Sequence, residues 1–499
     1  MNKPCITRAS GILLHPTSLP SQFGIGDLGP VAYWWIDTLA AMGQTWWQVL
    51  PLGPPGAGNS PYCAFSAFAG NILLLSPELM ANDGLISHSF LHLQNHSAAV
   101  DYDSVNLFKQ TIIHEAWSNY RAGKAKFLDD EYEAFIYRES YWLDDYALYM
   151  AIRDRIGNVS FRSWSRDLLR RDKSTIEAAR RELADIIGMY SFSQFLFNRQ
   201  WRALKDYAAK YAIKILGDVP IFISPDSVDI WANPELFLLD SELNPIEVAG
   251  VPPDYFSAEG QLWGNPLYNW EVHENTNYDW WVRRLKRSLE LFDYVRLDHF
   301  RGYVQSWHIP AKEKSARHGR WVDGPGKKFF LSLREQLGHL PFIAEDLGLI
   351  THDVVQLREE LGIPGMRVLQ FALNGPEDIH WPHNYEPNVV CYTGTHDNET
   401  VNGWWAGLSE QARHYLGITM GRYIDDPAWD LIRMAWSSVA VLAIAPMQDV
   451  LGLGNEARMN RPGTASGNWC WRFEPQQLRQ HHIDRLREYT YLYNRLPHN

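Results

Sequence analysis

Eight short apolar runs, most of them closing on polar residues, recur along the 499 residues of this chain and leave few folds open to it. The first two, SGILLHPTSL (10–19) and WWQVL (46–50), empty into Pro- and Gly-rich loops. AIKILGDVPIF (212–222) carries Asp218, FDYVRLDHF (292–300) closes on Asp298, and PFIAEDLG (341–348) on Glu345. GMRVLQFAL (365–373) follows, then NVVCYTGTHDN (388–398) with His396 and Asp397, then VLAIAPMQDVLG (441–452) with Gln448. Helical spacing fills most of the intervals, as in 30–42, 327–338, 352–361 and 427–440. Strand, helix, strand in repetition is the signature of a parallel sheet. Eight such units predict an α/β fold, a (β/α)8 TIM barrel, in which catalytic residues gather at the carboxyl ends of the strands. The polar residues named above fall there.

Residues 1–499 read as a single catalytic barrel domain, interrupted from 75 to 200 by charged and apolar residues at helical spacing, an inserted, largely helical subdomain. His88, His92 and His96 lie four apart there and would share a helix face, but no Cys or carboxylate stands in ligand register with them, and a solvated face is the reading. The loop 51–71 is Gly-rich yet carries Tyr62, Phe65 and Phe68, which argue that it folds onto something.

Composition narrows the function. A formal net charge of −12 argues against nucleic acid or anionic lipid as a partner. No signal-like or membrane-spanning apolar stretch is present, and Cys5, Cys63, Cys391 and Cys470 are scattered, so free thiols in the cytoplasm are expected. The 22 tryptophans, with pairs at 34–35, 46–47, 280–281 and 404–405, suggest flat apolar surfaces for sugar rings as well as core.

Within FDYVRLDHFRG, strand alternation points Arg296 and Asp298 one way and Val295 and Leu297 the other. A cation two residues from a carboxylate favours its ionised, nucleophilic form. Asp298 and Glu345 end neighbouring strands, and retaining glycoside chemistry needs two carboxyls about 5 Å apart, one a nucleophile and one an acid then base. Asp397, beside His396, could hold sugar hydroxyls. Metal hydrolases add paired histidines that are missing here, and neither a GxxxxGK loop nor a GxGxxG turn occurs, so neither metal nor cofactor is expected. The acids alone leave hydrolysis and transfer both open.

Long motifs then match a known family. SGILLHPTSLPS, GNSPYCAFSAFAGN, GDVPIF, PPDYFSAEGQLWGNPLYNW, RLDHFRG, AEDLG, GTHDNET and NEARMNRPG, in this order, closely resemble the amylomaltases, or 4-α-glucanotransferases, of the α-amylase clan. The resemblance implies retaining transfer of an α-1,4-glucan segment to the 4-hydroxyl of an acceptor glucan. It implies Asp298 as nucleophile, Glu345 as acid/base and Asp397 as transition-state stabiliser. Arg296 and His396 would line the donor sugar subsite, with Ser60, Tyr62 and Asp218 as further contacts. An inserted region at 223–275 with Tyr255, Phe256 and Trp263, together with Asn460 to Gly463, would form extended lid loops over the acceptor channel. Donor and acceptor glucans are the implied partners of a monomer or weak homo-oligomer. Ala57 stands where some relatives carry an aromatic of an accessory glucan contact.

Overall fold

The computed structural model describes residues 6–253 and 258–497. Eight strands build its main sheet: β1 (Ala9–Leu13), β2 (Trp46–Gln48), β3 (Lys214–Pro220), β4 (Tyr294–Asp298), β5 (Phe342–Ala344), β6 (Gly365–Val368), β7 (Val389–Tyr392) and β8 (Leu442–Pro446). Their spatial order is β6-β7-β8-β1-β2-β3-β4-β5, and every ladder among them is parallel. The circle lacks one ladder, between β5 and β6, where the Ala344 N–H reaches the Pro364 carbonyl at 2.9 Å. This is the predicted (β/α)8 barrel, nearly closed.

The alternation of strand side chains decides what the barrel encloses. Leu216, Ile343, Met366, Val368, Val390 and Tyr392 meet inside it. At alternate strand positions Ile215, Val295, Leu297, Phe342, Ala344 and Cys391 pack outward against the helices. The inward register therefore continues through Asp218 on β3, Arg296 and Asp298 on β4, and Glu345 just past β5. At Gly217, an outward position, an added Cβ would stand 2.1 Å from the Phe292 ring, so only glycine lets that ring close over the strand.

Between β2 and β3 the chain runs mainly through helices, the longest being Tyr102–Arg121, Asp129–Ile156 and Ala184–Lys210. Asp101 starts the first by accepting the Asp103 N–H at 3.2 Å, a cap worth about 1 kcal/mol. The rings of Tyr120 and Phe192 stack at 4.4 Å, with Tyr132 edge-on to Phe192 at 5.3 Å. Gln194 binds the loop 51–71 to this helical layer: it accepts the Gly70 N–H at 2.7 Å and donates to the Gly70 carbonyl at 2.9 Å.

One expectation is corrected, and two others gain detail. His88–His92 forms a 3-10 helix, whose threefold repeat takes residues four apart off a common face, and His96 lies beyond it, bonded to Gln94 at 2.8 Å. Among the described residues no cluster of metal-ligating side chains occurs. Four of the eight paired tryptophans, Trp35, Trp46, Trp47 and Trp281, are fully buried, three of them in the core between the barrel and its helices. Finally, the region expected as lid loops holds two strands, Glu247–Val251 and Gln261–Pro266, that join Gln305–Pro310 and Arg320–Asp323 in a four-stranded antiparallel sheet beside the barrel. Its inner pairing spans more than 50 residues, beyond the reach of local periodicity. Among the described residues, no helix is long and apolar enough to cross a membrane.

Candidate active site

The inward polar residues converge at the carboxyl ends of β3, β4 and β5. Register pairs Asp218 with Arg296 and Pro220 with Asp298. One guanidinium nitrogen, Arg296 Nη1, lies 2.7 Å from Asp218 Oδ2 and 2.9 Å from Asp298 Oδ1. The Tyr62 hydroxyl donates to the same Asp218 oxygen at 3.0 Å, drawing the loop 51–71 over the barrel. Burial opposes the charge on Arg296, but Asp218, Asp298, Tyr62 and Glu345 outweigh it and hold its pKa well above the ordinary value. Arg296 thus stays a cation at any working pH.

Glu345 stands across the β4–β5 boundary in a different setting. Its Oε2 accepts the His299 N–H at 2.7 Å and its Oε1 accepts the Leu347 N–H at 3.0 Å. The first bond depends on His299 adopting left-handed backbone angles, φ 52° and ψ 55°, which turn its N–H back toward the neighbouring strand. Burial pushes the Glu345 carboxyl up to about 7; Arg296 and the two amides pull it down, and the negative charge of Asp298 pushes it further up. Asp218 is raised to about 7 as well, by burial first and by Asp298, against the pull of Arg296.

Asp397 belongs to the rim. It follows β7 by five residues and keeps about half of its side chain exposed. Asn460 Nδ2 donates to Asp397 Oδ1 at 2.6 Å, and His396 Nε2 lies 3.4 Å from the same oxygen. Burial lowers the His396 pKa, partly offset by Asp397, so the ring is neutral near pH 7. It stacks on Tyr62 at 5.1 Å, with Trp469 completing an aromatic wall at 5.8 Å from Tyr62. Ser60 accepts the Tyr62 N–H at 3.2 Å and so shapes the turn that presents this wall. Ala57 is exposed on a short helical turn of the same loop.

Trp263, on the small antiparallel sheet, reaches the opposite side of the cleft. Its ring stands edge-on to His299 at 4.9 Å and 6.4 Å from Phe222, with 38% of the residue exposed, enough to offer a face to a ligand. Tyr255 and Phe256 lie outside the described residues. The structure thus brings Tyr62, Asp218, Arg296, Asp298, Glu345 and His396 together, sets Asp397 and Trp263 on opposite rims, and leaves Ser60 in a supporting place.

Sequence reasoning missed two residues. His299, half-buried between Phe222 and Trp263 and next to Asp298, is signalled by its place inside RLDHFRG. Trp469 had no such signal, because it ends no strand and meets Tyr62 only through the fold.

An inward cation shared by two acids, beside a half-buried carboxyl that titrates near 7, is the equipment of acid/base glycoside chemistry. The comparisons agree. Residues 14–478 match the family described as 4-alpha-glucanotransferase. The chain belongs to the 4-alpha-glucanotransferase family. It is 46% identical over 498 residues to the 4-alpha-glucanotransferase of Synechocystis, covering 98% of each chain. Its identity to that of Thermus thermophilus is 45% over 495 residues, covering 97% of this chain and 98% of the other. The amylomaltase of Streptococcus agalactiae, solved in complex with acarbose, superposes with a TM-score of 0.95 at 38% identity, covering 98% of this chain and all of that one. The protein is an enzyme of this family, a 4-alpha-glucanotransferase built on a TIM barrel.

Proposed function

We propose that the protein disproportionates α-1,4-glucans through a covalent glycosyl-enzyme. Asp298 attacks the anomeric carbon of the donor while Glu345 gives its proton to the departing glycosidic oxygen. The segment carrying the new 4-hydroxyl end leaves. Glu345, now a carboxylate, takes the proton from the 4-hydroxyl of an incoming glucan, whose oxygen displaces Asp298 and remakes the α-1,4 bond with net retention. Arg296 orients Asp298 through their ion pair, and Asp218, Tyr62 and His396 hold the donor sugar. Asp397, oriented by Asn460, binds hydroxyls of the distorted ring.

The contrast within one acid pair carries this reading: Arg296 touches Asp298 at 2.9 Å, whereas Glu345 meets only backbone N–H donors and titrates near neutrality. An oriented acceptor must outcompete water for transfer to win. Trp263 supports that role by standing half-exposed beside His299. In this reading residues 1–499 form one catalytic domain, with 75–200 as a helical insertion and 223–275 as the lid-bearing segment. Free Cys63, Cys391 and Cys470 support a cytoplasmic enzyme.

Incubation with maltotriose tests the proposal. Glucose and longer glucans should accumulate while total reducing ends stay constant. Reducing ends that climb with turnover would make the protein chiefly a hydrolase.

A further inference from the structure

The gap in the barrel lies under the catalytic face, and Met366 occupies its edge. The backbone of Met366 is held by side chains: its N–H donates to Asp346 Oδ1 at 2.7 Å, and its carbonyl accepts from Arg367 Nη1 at 2.7 Å. Asp346 follows Glu345 directly, is buried, and lies 3.2 Å from Arg358 Nε. The Met366 side chain is fully buried inside the barrel, where its Sδ accepts the Nε–H of Arg296 at 3.4 Å.

A guanidinium carries its donors in one rigid plane. If Nε–H is fixed, the position of Nη1 is fixed too, and Nη1 is the atom shared by Asp218 and Asp298. A carboxylate at position 366 would claim part of the positive charge, and a hydrocarbon would leave a buried N–H without an acceptor. A thioether is a weak, uncharged acceptor, so it orients the group and leaves its charge to the two aspartates.

We infer that Met366 is a positioning residue for this reaction, its sulfur orienting Arg296 and its backbone, clamped by Asp346, tying that orientation to the loop that carries Glu345. The inference rests on the roles proposed above for Arg296, Asp298 and Glu345. It makes the Asp346–Met366 bridge, rather than a strand ladder, the link between the acid/base and the nucleophile's arginine across the gap.

Met366→Leu keeps the volume and removes the acceptor. In maltotriose disproportionation it should lower kcat about tenfold or more while KM stays within about threefold, the pattern of an interaction that matters in the transition state. A folded Met366→Leu enzyme with wild-type kcat overturns the inference, and so does a kcat loss matched by a KM rise beyond about threefold, which marks mere packing. The native sequence supplies an independent test. Replacing sulfur by selenium through selenomethionine labelling should move the 15N-detected Arg296 Nε–H resonance, assigned by its loss in Arg296→Lys; an unmoved resonance overturns the inference whatever the Leu variant does. If Asp298→Asn is inactive while Met366→Leu behaves as wild type, only the positioning role falls. If Asp298→Asn is active, the underlying roles fall and this one with them.

Discussion

The floor and the rim of the cleft are built on opposite principles. On the floor, Asp218 and Arg296 are almost fully enclosed, and every group is held by strand register or by a backbone amide. On the rim, Asp397 and Trp263 keep a third to a half of their side-chain or residue surface open, and their polar partners, Asn460 and Gln261, are single side chains. Enclosure strengthens charge–charge effects and lets the floor move carboxyl groups to about 7. Openness suits groups that must meet successive glucans. In the proposed reaction the floor would govern whether bonds break, and the rim what takes up the intermediate.

The sharpest way to break this division is on the floor. Asp298→Asn should lower disproportionation of maltotriose by about 10⁴-fold or more, as removal of a nucleophile does; activity within tenfold of wild type refutes the assignment. Glu345→Gln should cost about 10²–10⁴-fold with the same donor. With an α-maltosyl fluoride, whose leaving group needs no proton, the first step should survive, and loss of the fluoride burst would take the acid role from Glu345.

The rim should respond differently. Trp263→Ala is expected to raise the ratio of hydrolysis to transfer about fivefold, the equivalent of one lost aromatic contact of about 1 kcal/mol, with turnover largely kept. An unchanged ratio, measured by reducing ends against chain-length distribution, would separate Trp263 from acceptor selection.

The smallest effect concerns stability. Asp218 and Glu345 titrate at about 7 in the folded enzyme, above the ordinary carboxyl range. The native state then binds more protons than the unfolded chain between the two ranges. The stability they contribute is complete below the unfolded values and is lost as pH rises through 7. Glu345→Gln, neutral throughout, should gain a few degrees in Tm relative to wild type between pH 5 and pH 8. A constant difference across that window would contradict the raised titration of Glu345.

The floor was largely legible in the sequence because its logic is local. Alternation along LGDVP and VRLDH tells which side chains share a face, and strand ends locate them at one end of the barrel. The rim was less so. Asn460 meets Asp397 across 63 residues and Tyr62 meets Asp218 across 156, distances at which no periodicity speaks. The family motifs named most of these residues without saying which ones touch. The small antiparallel sheet escaped notice for the same reason, and the tryptophan pairs left core and sugar surface undivided, because large rings serve either.

The reversed backbone at His299 has a consequence for how this enzyme can vary. The amide that grips Glu345 belongs to the main chain immediately after Asp298. No side-chain exchange deletes that donor, so alanine scanning would pass over it and record only the imidazole. Proline, which has no N–H, would delete the grip outright. A β-branched residue would disfavour the backbone angles that aim it. Position 299 is thus open to drift in its ring chemistry while its peptide geometry is closed to it, and asparagine or glycine are the neighbours in sequence space through which it could pass.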